Sequence, residues 1–273
     1  MLKSLYSGIS GMHAFQTKLD VIGNNIANVN TVGFKTGRVM FSDILSQTVQ
    51  GASAGNGNGI AGTNPQQIGL GTQISNIDTI FTNGSPETTN NPLDVAISGD
   101  GFFTVSNDGG TTQYYTRAGD FSIDNNGYLT LPNGYQVLDS NGSPIQIPSG
   151  SKFTSIAPDG TVTYSDLATG TPTKGPQIGL TVFPNPAGLT KIGGNMYQAS
   201  DNSNPGGATS LPTPVAPGTG GTNQLQVGTL EMSNVDLTNE FAEMIVAQQG
   251  FNANSKIITT DNQILQTVVN LKQ

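Results

Sequence analysis

No cysteine or tryptophan occurs in this chain, and histidine occurs once, as His13. The lack of cysteine excludes disulfides, thiolate metal sites and cysteine nucleophiles. Charge is scarce: Asp, Glu, Lys and Arg make up 10% of residues, against ~25% in an average soluble domain. Ser, Thr and Asn take their place on the surface. Copies of such a chain repel each other only weakly, which suits self-association. Positive charge is scarcest, and the formal net charge is −8. The basic footprint of a nucleic-acid binder is therefore missing, as is the Lys/Arg cluster of a protein held on an anionic membrane. No run reaches the ~18 apolar residues of a membrane span. The opening Met1–Gly8 has no apolar core of signal-peptide length.

Proline is absent from both ends. All 15 prolines fall between Pro65 and Pro217. Because proline costs a helix interior ~3 kcal/mol, helices are allowed at the ends and disfavoured in the middle.

The N-terminal end carries apolar residues at Leu2, Leu5, Ile9, Met12, Phe15, Leu19, Ile22, Ile26 and Val29. Steps of three and four place them on one helical stripe. Asn28, Asn30 and Gly33 supply the stop. The C-terminal end has a longer pattern: Leu237, Phe241, Met244, Gln248, Phe251, Ser255, Ile258, Asn262, Leu265 and Val269. Alternating steps of four and three make a heptad seam. Asp236 is the expected N-cap, with Glu240 and Glu243 near the positive helix end. Gln248, Ser255 and Asn262 share one heptad position. Either they fix register and partner, or that side of the stripe borders solvent. A lone amphipathic helix is marginal in water, so each end needs the other end, or the ends of neighbouring copies.

The middle reads as β. Aromatic and β-branched runs at Phe102–Val105, Tyr114–Thr116, Tyr128–Leu131, Tyr135–Leu138, Val162–Tyr164 and Ile178–Phe183 alternate with Asn-Gly and Asp-Gly turns. This predicts an antiparallel meander or barrel-like domain. Gly51–Gly62 and Asn202–Thr222 read as loops. The expected partition is an N-terminal helix over 1–34, a connector with the Gly-rich loop over 35–90, β-rich outer structure over 91–230 and a C-terminal helix over 231–273.

Chemistry is thinly represented. His13 has no cysteine or carboxylate neighbour at metal-ligand spacing and reads as a surface or packing residue. Asp124–Gly127 and Asp139–Gly142 lack the full spacing and closing Glu of a calcium loop; between strand-like runs they are hairpin turns. The Gly-rich loop lacks the Gly-Lys-Ser/Thr ending of a phosphate loop. No catalytic, cofactor-binding or metal residues are assigned, and no cofactor is expected. The reading that remains is structural, with a secreted β-rich binding protein or adhesin as the alternative from another class.

Leu19–Phe34, with Gly23, Asn24, Asn25, Ile26, Asn28, Gly33 and Phe34 preceded by Leu5-Tyr6-Ser7-Gly8, resembles the N-terminal signature of the bacterial flagellar rod and hook family. Leu93–Ile97 with Gly101-Phe102-Phe103, and Tyr115–Phe121 with Gly127-Tyr128-Leu129, look like that family's β domain. Gln248–Lys272 is similar to its C-terminal helix. The resemblance implies that the terminal helices pair as a coiled coil lining a tube, with β structure outside. It implies a helical homopolymer without enzymatic activity, placed outside the cell in the flagellum and exported without a cleaved signal. Within the family, Ala253–Lys256, Ile258–Thr260 and Met40–Leu45 look more like the hook subunit than the distal rod subunit. The expectation is a flexible joint that transmits torque, with the adjoining rod, hook-cap and hook–filament junction proteins as partners. The expected assembly residues are Leu5, Ile9, Met12, Leu19, Ile22, Asn24, Asn25, Ile26, Asn28, Gly33 and Phe34, and the C-terminal seam from Leu237 to Leu265.

Overall fold

The computed structural model describes residues 2–54, 62–167, 170–205, 207, 212–219 and 224–271. The centre of the Gly-rich loop, residues 55–61, and much of the Asn202–Thr222 loop lie outside the described residues.

Two helices occupy the ends: α1, Leu2–Ala27, and α2, Leu237–Asn270. At ~1.5 Å per residue they are about 39 Å and 51 Å long. The predicted cap is present, since the Asp236 side chain accepts from the Thr238 N–H at 2.9 Å. Glu240 lies in the first turn of α2, where the helix dipole favours an anion. At the end of α1 the Thr31 N–H returns to the Asn28 carbonyl and starts a turn.

The chain forms two compact units, interleaved along the sequence. The first holds α1, Gly37–Thr79 and α2. Its β part is two antiparallel pairs: Gly37–Asp43 with Thr72–Thr79, and Ser46–Gln50 with Gln66–Gly69. Every residue of the second pair is exposed.

The second unit spans Asn28–Thr36 and Ile80–Val235. Its main sheet has eight strands. In spatial order seven of them are Thr190–Gly193, Met196–Gln198, Tyr114–Thr116, Phe102–Ser106, Gln136–Val137, Leu129–Thr130 and Ser122–Ile123; Leu180–Thr181 also pairs with Phe102–Ser106. The expected strands are there. The sheet is open, though, with no closed barrel among the described residues, and its strand order is not sequential, so it is more than a meander. A separate three-stranded sheet comprises Ser151–Ile156, Thr161–Asp166 and Pro172–Gln177.

Alternation along Phe102–Ser106 divides the core in two. Phe103 and Val105 enter an aliphatic cluster with Val95, Leu129, Ile145 and Leu180. Phe102 enters an aromatic cluster with Tyr115, Phe183 and Tyr197. The rings there meet edge to face at 4.6–6.0 Å, the arrangement their quadrupoles favour. The Asp-Asn-Gly segments are turns: Asp139 Oδ1 accepts from the Asn141 and Ser143 N–H groups, each at 2.8 Å.

Candidate assembly surfaces

In the helical unit, α1 and α2 run antiparallel. Ser4 donates to Asp261, Gly8 faces Ile258, Gly11 faces Asn254, Phe15 faces Gly250, and Lys18 pairs with Glu243. Small residues set the spacing. A Cβ on Gly250 would stand 2.5 Å from the Phe15 ring, and one on Gly11 2.8 Å from the Asn254 side chain. Ala14 and Ala247 are buried.

This face differs from the expected seam. Met244, Phe251, Ser255, Ile258 and Leu265 are half-buried, whereas Leu237, Phe241, Gln248 and Asn262 are exposed. At the polar heptad position the preceding residue lies further in at two places of three, Ala247 against exposed Gln248 and Asp261 against exposed Asn262, while Asn254 and Ser255 are both half-buried. One residue turns a helix by ~100°. The pairing therefore combines small and polar side chains with half-buried Met244, Phe251, Ile258 and Leu265 of the expected seam, while Leu237 and Phe241 face out. Within α1, Ile22 is buried, Leu5, Met12, Leu19 and Ile26 are half-buried, and Ile9 and Asn24 are exposed; Asn28, just past its end, is half-buried.

Much apolar surface stays uncovered on this unit. On α2, Phe241, Ile257, Ile264 and Val268 are 44–50% exposed, and Leu271 just past its end is 80% exposed. On the second strand pair and the turn before it, Leu45 is 81%, Val49 62% and Ile68 50% exposed. An isolated two-stranded ribbon is marginal in water, and open edges with apolar faces are templates for another chain.

The N-terminal signature does different work at each position. Asn25 is 2% exposed. Its amide pairs with the Gly37 backbone in both directions, accepting from N–H at 3.0 Å and donating to the carbonyl at 2.9 Å, and it also donates to Glu240 Oε1 at 3.1 Å. Gly33, in the β unit, has φ +68°. A Cβ there would come within 2.7 Å of the Ala118 backbone nitrogen. Its N–H donates to the Glu231 carbonyl at 2.7 Å. Phe34 is buried, with the Lys191 ammonium 4.3 Å from its ring centre.

Next to Phe34 lies a group that periodicity could not reveal. Lys35, Arg117 and Glu231 are all buried. Lys35 Nζ donates to Glu231 Oε1 at 2.6 Å and to the Thr82 carbonyl at 2.7 Å. Arg117 Nη1 donates to Glu231 Oε2 at 3.3 Å, to the Gly99 carbonyl at 2.8 Å and to Asn83 Oδ1 at 3.2 Å. Burial pulls the Lys35 pKa below its ordinary value, and Glu231 opposes that pull. Buried charges persist only when paired and hydrogen-bonded. In so uncharged a chain, a Lys, an Arg and a Glu beside family motifs were the available signal. Two buried tyrosines lie nearby in the aromatic cluster. Loss of hydration pushes Tyr115 upward and Tyr197 to about 12.

A cavity of about 390 Å³ in the β unit is lined by Asn28, Thr31, Thr116, Asp120 and Asn195, among others. Burial raises the Asp120 carboxyl, but no nucleophile and base are paired beside it. Among the described residues, no group of three or more His, Cys, Asp or Glu could hold a metal. No described helix is long and apolar enough to cross a membrane.

Three family profiles match in chain order. That of the flagella basal body rod protein covers residues 5–35, that of the flagellar hook protein FlgE/F/G D1 domain covers 96–164, and that of the flagellar basal body rod FlgEFG protein C-terminal covers 226–271. The flagellar basal-body rod protein FlgG of Bacillus subtilis is 55% identical over 273 residues, 100% of both chains. The protein of the same name from Borreliella burgdorferi is 37% identical, again over 100% of both. The flagellar hook protein FlgE of Borreliella burgdorferi is 49% identical over 138 residues, 50% of this chain and 30% of that one.

Proposed function

The chain belongs to the flagellar rod and hook family, whose members are structural subunits of the flagellum, and we propose that it builds the distal rod of the basal body. One observation carries this reading: the match to rod proteins runs the full length of both partners, whereas the match to a hook protein leaves about two thirds of that protein unmatched. The hook expectation rested on short stretches of the tail and of Met40–Leu45, and these weigh less than the whole chain. Its hook-cap and hook–filament junction partners fall with it.

In the proposed rod, copies stack helically into a tube. The exposed apolar surface of α2 and of the ribbon is covered by neighbouring copies, whose sparse charge opposes association only weakly. The terminal helices form the inner wall, and the β units lie outside and stiffen the shaft. The neighbours at its ends are other rod proteins and the hook.

The test is deletion of the gene followed by electron microscopy of isolated basal bodies. Rods that stop short and carry no hook are expected. Full-length rods lacking only the hook would return the assignment to the hook subunit.

A further inference from the structure

The chain passes between the helical unit and the β unit four times: after Ala27, after Thr36, after Thr79 and after Val235. On the β-unit side, three of these passages meet at two side chains. Asn234 accepts from the Thr36 N–H at 2.8 Å and donates to the Ile80 carbonyl and to Thr82 Oγ1, both at 2.9 Å. Thr36 and Ile80 are themselves joined, the Ile80 N–H donating to the Thr36 carbonyl at 2.9 Å. Three residues before Asn234, the Glu231 carboxylate accepts from Lys35 Nζ at 2.6 Å, from the Gly84 N–H at 2.9 Å and from Arg117 Nη1 at 3.3 Å. Segments 33–36, 80–84 and 231–234 are thus tied side by side by one amide and one carboxylate.

We propose that Asn234 and Glu231 are positioning residues for torque transfer, gathering the connecting segments into one stiff strut. The proposal rests on the rod reading for its function but not for its geometry. Three separate segments would bend and slide independently under load. Segments cross-tied at both levels must deform together. The chemistry suits the task. Bonds to a buried carboxylate are charge-assisted and stronger than neutral ones. The Asn234 amide engages all three segments, its own included, and serves one with its oxygen and another with its nitrogen, so it cannot slip along either without losing both bonds.

Asn234 is the residue to change, because removing Glu231 would strand two buried cations and endanger folding. Full-length wild type, Asn234→Ala and Asn234→Asp are compared by residue-resolved amide hydrogen exchange. In Asn234→Ala the Thr36 amide should exchange about tenfold faster or more, the scale of one lost hydrogen bond, while Phe103 and Val105 in the central strand keep their rates. Asn234→Asp retains the acceptor and should keep Thr36 protected, a rescue that general destabilisation would not give. Unchanged Thr36 exchange in Asn234→Ala, or equal acceleration at Phe103 and Val105, overturns the strut. Cells carrying Asn234→Ala should assemble flagella and swim in dilute medium, then lose speed against wild type as viscosity rises. Wild-type speed at every viscosity, despite fast Thr36 exchange, overturns the torque role alone. Failure of the rod reading would show separately, as full-length rods in the deletion strain.

Discussion

Replacing Gly33 by Ala tests whether the signature glycine is needed for its backbone conformation, its packing or both. At φ +68° a Cβ costs roughly 1–2 kcal/mol. The new methyl would also stand 2.7 Å from the Ala118 nitrogen and 2.8 Å from the Arg117 carbonyl carbon. Both are backbone atoms beside the buried arginine, whose Nη1 is held by Gly99, Asn83 and Glu231, and cannot rotate away. Overpacking of this kind adds about 1–3 kcal/mol. The expected loss is therefore about 2–5 kcal/mol. In a unit of 150–250 residues, at ~2–4 °C per kcal/mol, this lowers Tm by about 4–20 °C. Gly134→Ala is the control. Gly134 has φ +82° but open space around its Cβ direction, so only the conformational cost applies. Calorimetry of the two variants and wild type separates the contributions. If Gly33→Ala melts no lower than Gly134→Ala, the close packing of Gly33 on Arg117 and Ala118 is not a stabilising feature.

Asn25→Ala leaves the Gly37 N–H and carbonyl without their side-chain partner and should destabilise the helical unit by about 1–3 kcal/mol, seen as earlier loss of helical circular dichroism in urea; an unchanged midpoint would count against a stabilising role for this pairing. Phe251→Asp places a charge on the half-buried border of the helix pair and should prevent sedimentable polymer while the β unit still melts cooperatively; polymer at the wild-type yield would rule out this face in assembly. Alkaline pH should destabilise the β unit. Tyr197 ionises at about 12 when folded, against an ordinary 10.0, so between those values the folded state holds more protons. Stability is then lost as pH rises through that window, by on the order of 3 kcal/mol at ~1.4 kcal/mol per pH unit. Tyr115 is shifted in the same direction. A tyrosinate absorbance titration should leave two of the seven tyrosines silent until unfolding; reversible titration of all seven near their ordinary value would refute the burial argument.

Periodicity revealed the two end helices, the Asp236 cap and the strands around Phe102 and Tyr115, because each is set by neighbours a few residues away. Along α2 it marks Met244, Phe251, Ile258 and Leu265, which are half-buried, but at the alternate heptad position it points to exposed Gln248 where the buried residue is Ala247. An apolar count gives weight to Phe241 and none to Gly250, yet Gly250, Ala247 and Asn254 line the contact because the helices approach through small side chains. The apolar residues the count selected are partly those left facing outward. The buried ion group was invisible for another reason. Lys35 and Glu231 are 196 residues apart, and no local pattern separates them from solvated charges. Short tail motifs carry little weight in separating hook from rod, whereas the extent of the alignment over the whole chain favours the rod proteins.

The interleaving of the two units constrains the order in which the chain can fold. Asn25 and Glu240 meet across 215 residues, and closing so long a loop before anything else forms is slow and costs entropy. Once the β unit has folded, the bond from Gly33 to Glu231 at 2.7 Å shortens that loop to eight residues on one side and nine on the other. The helices then have only to zip, like a hairpin whose turn is a whole domain. Until that turn exists the two ends remain separate strings, and an amphipathic helix without its partner is marginal in water.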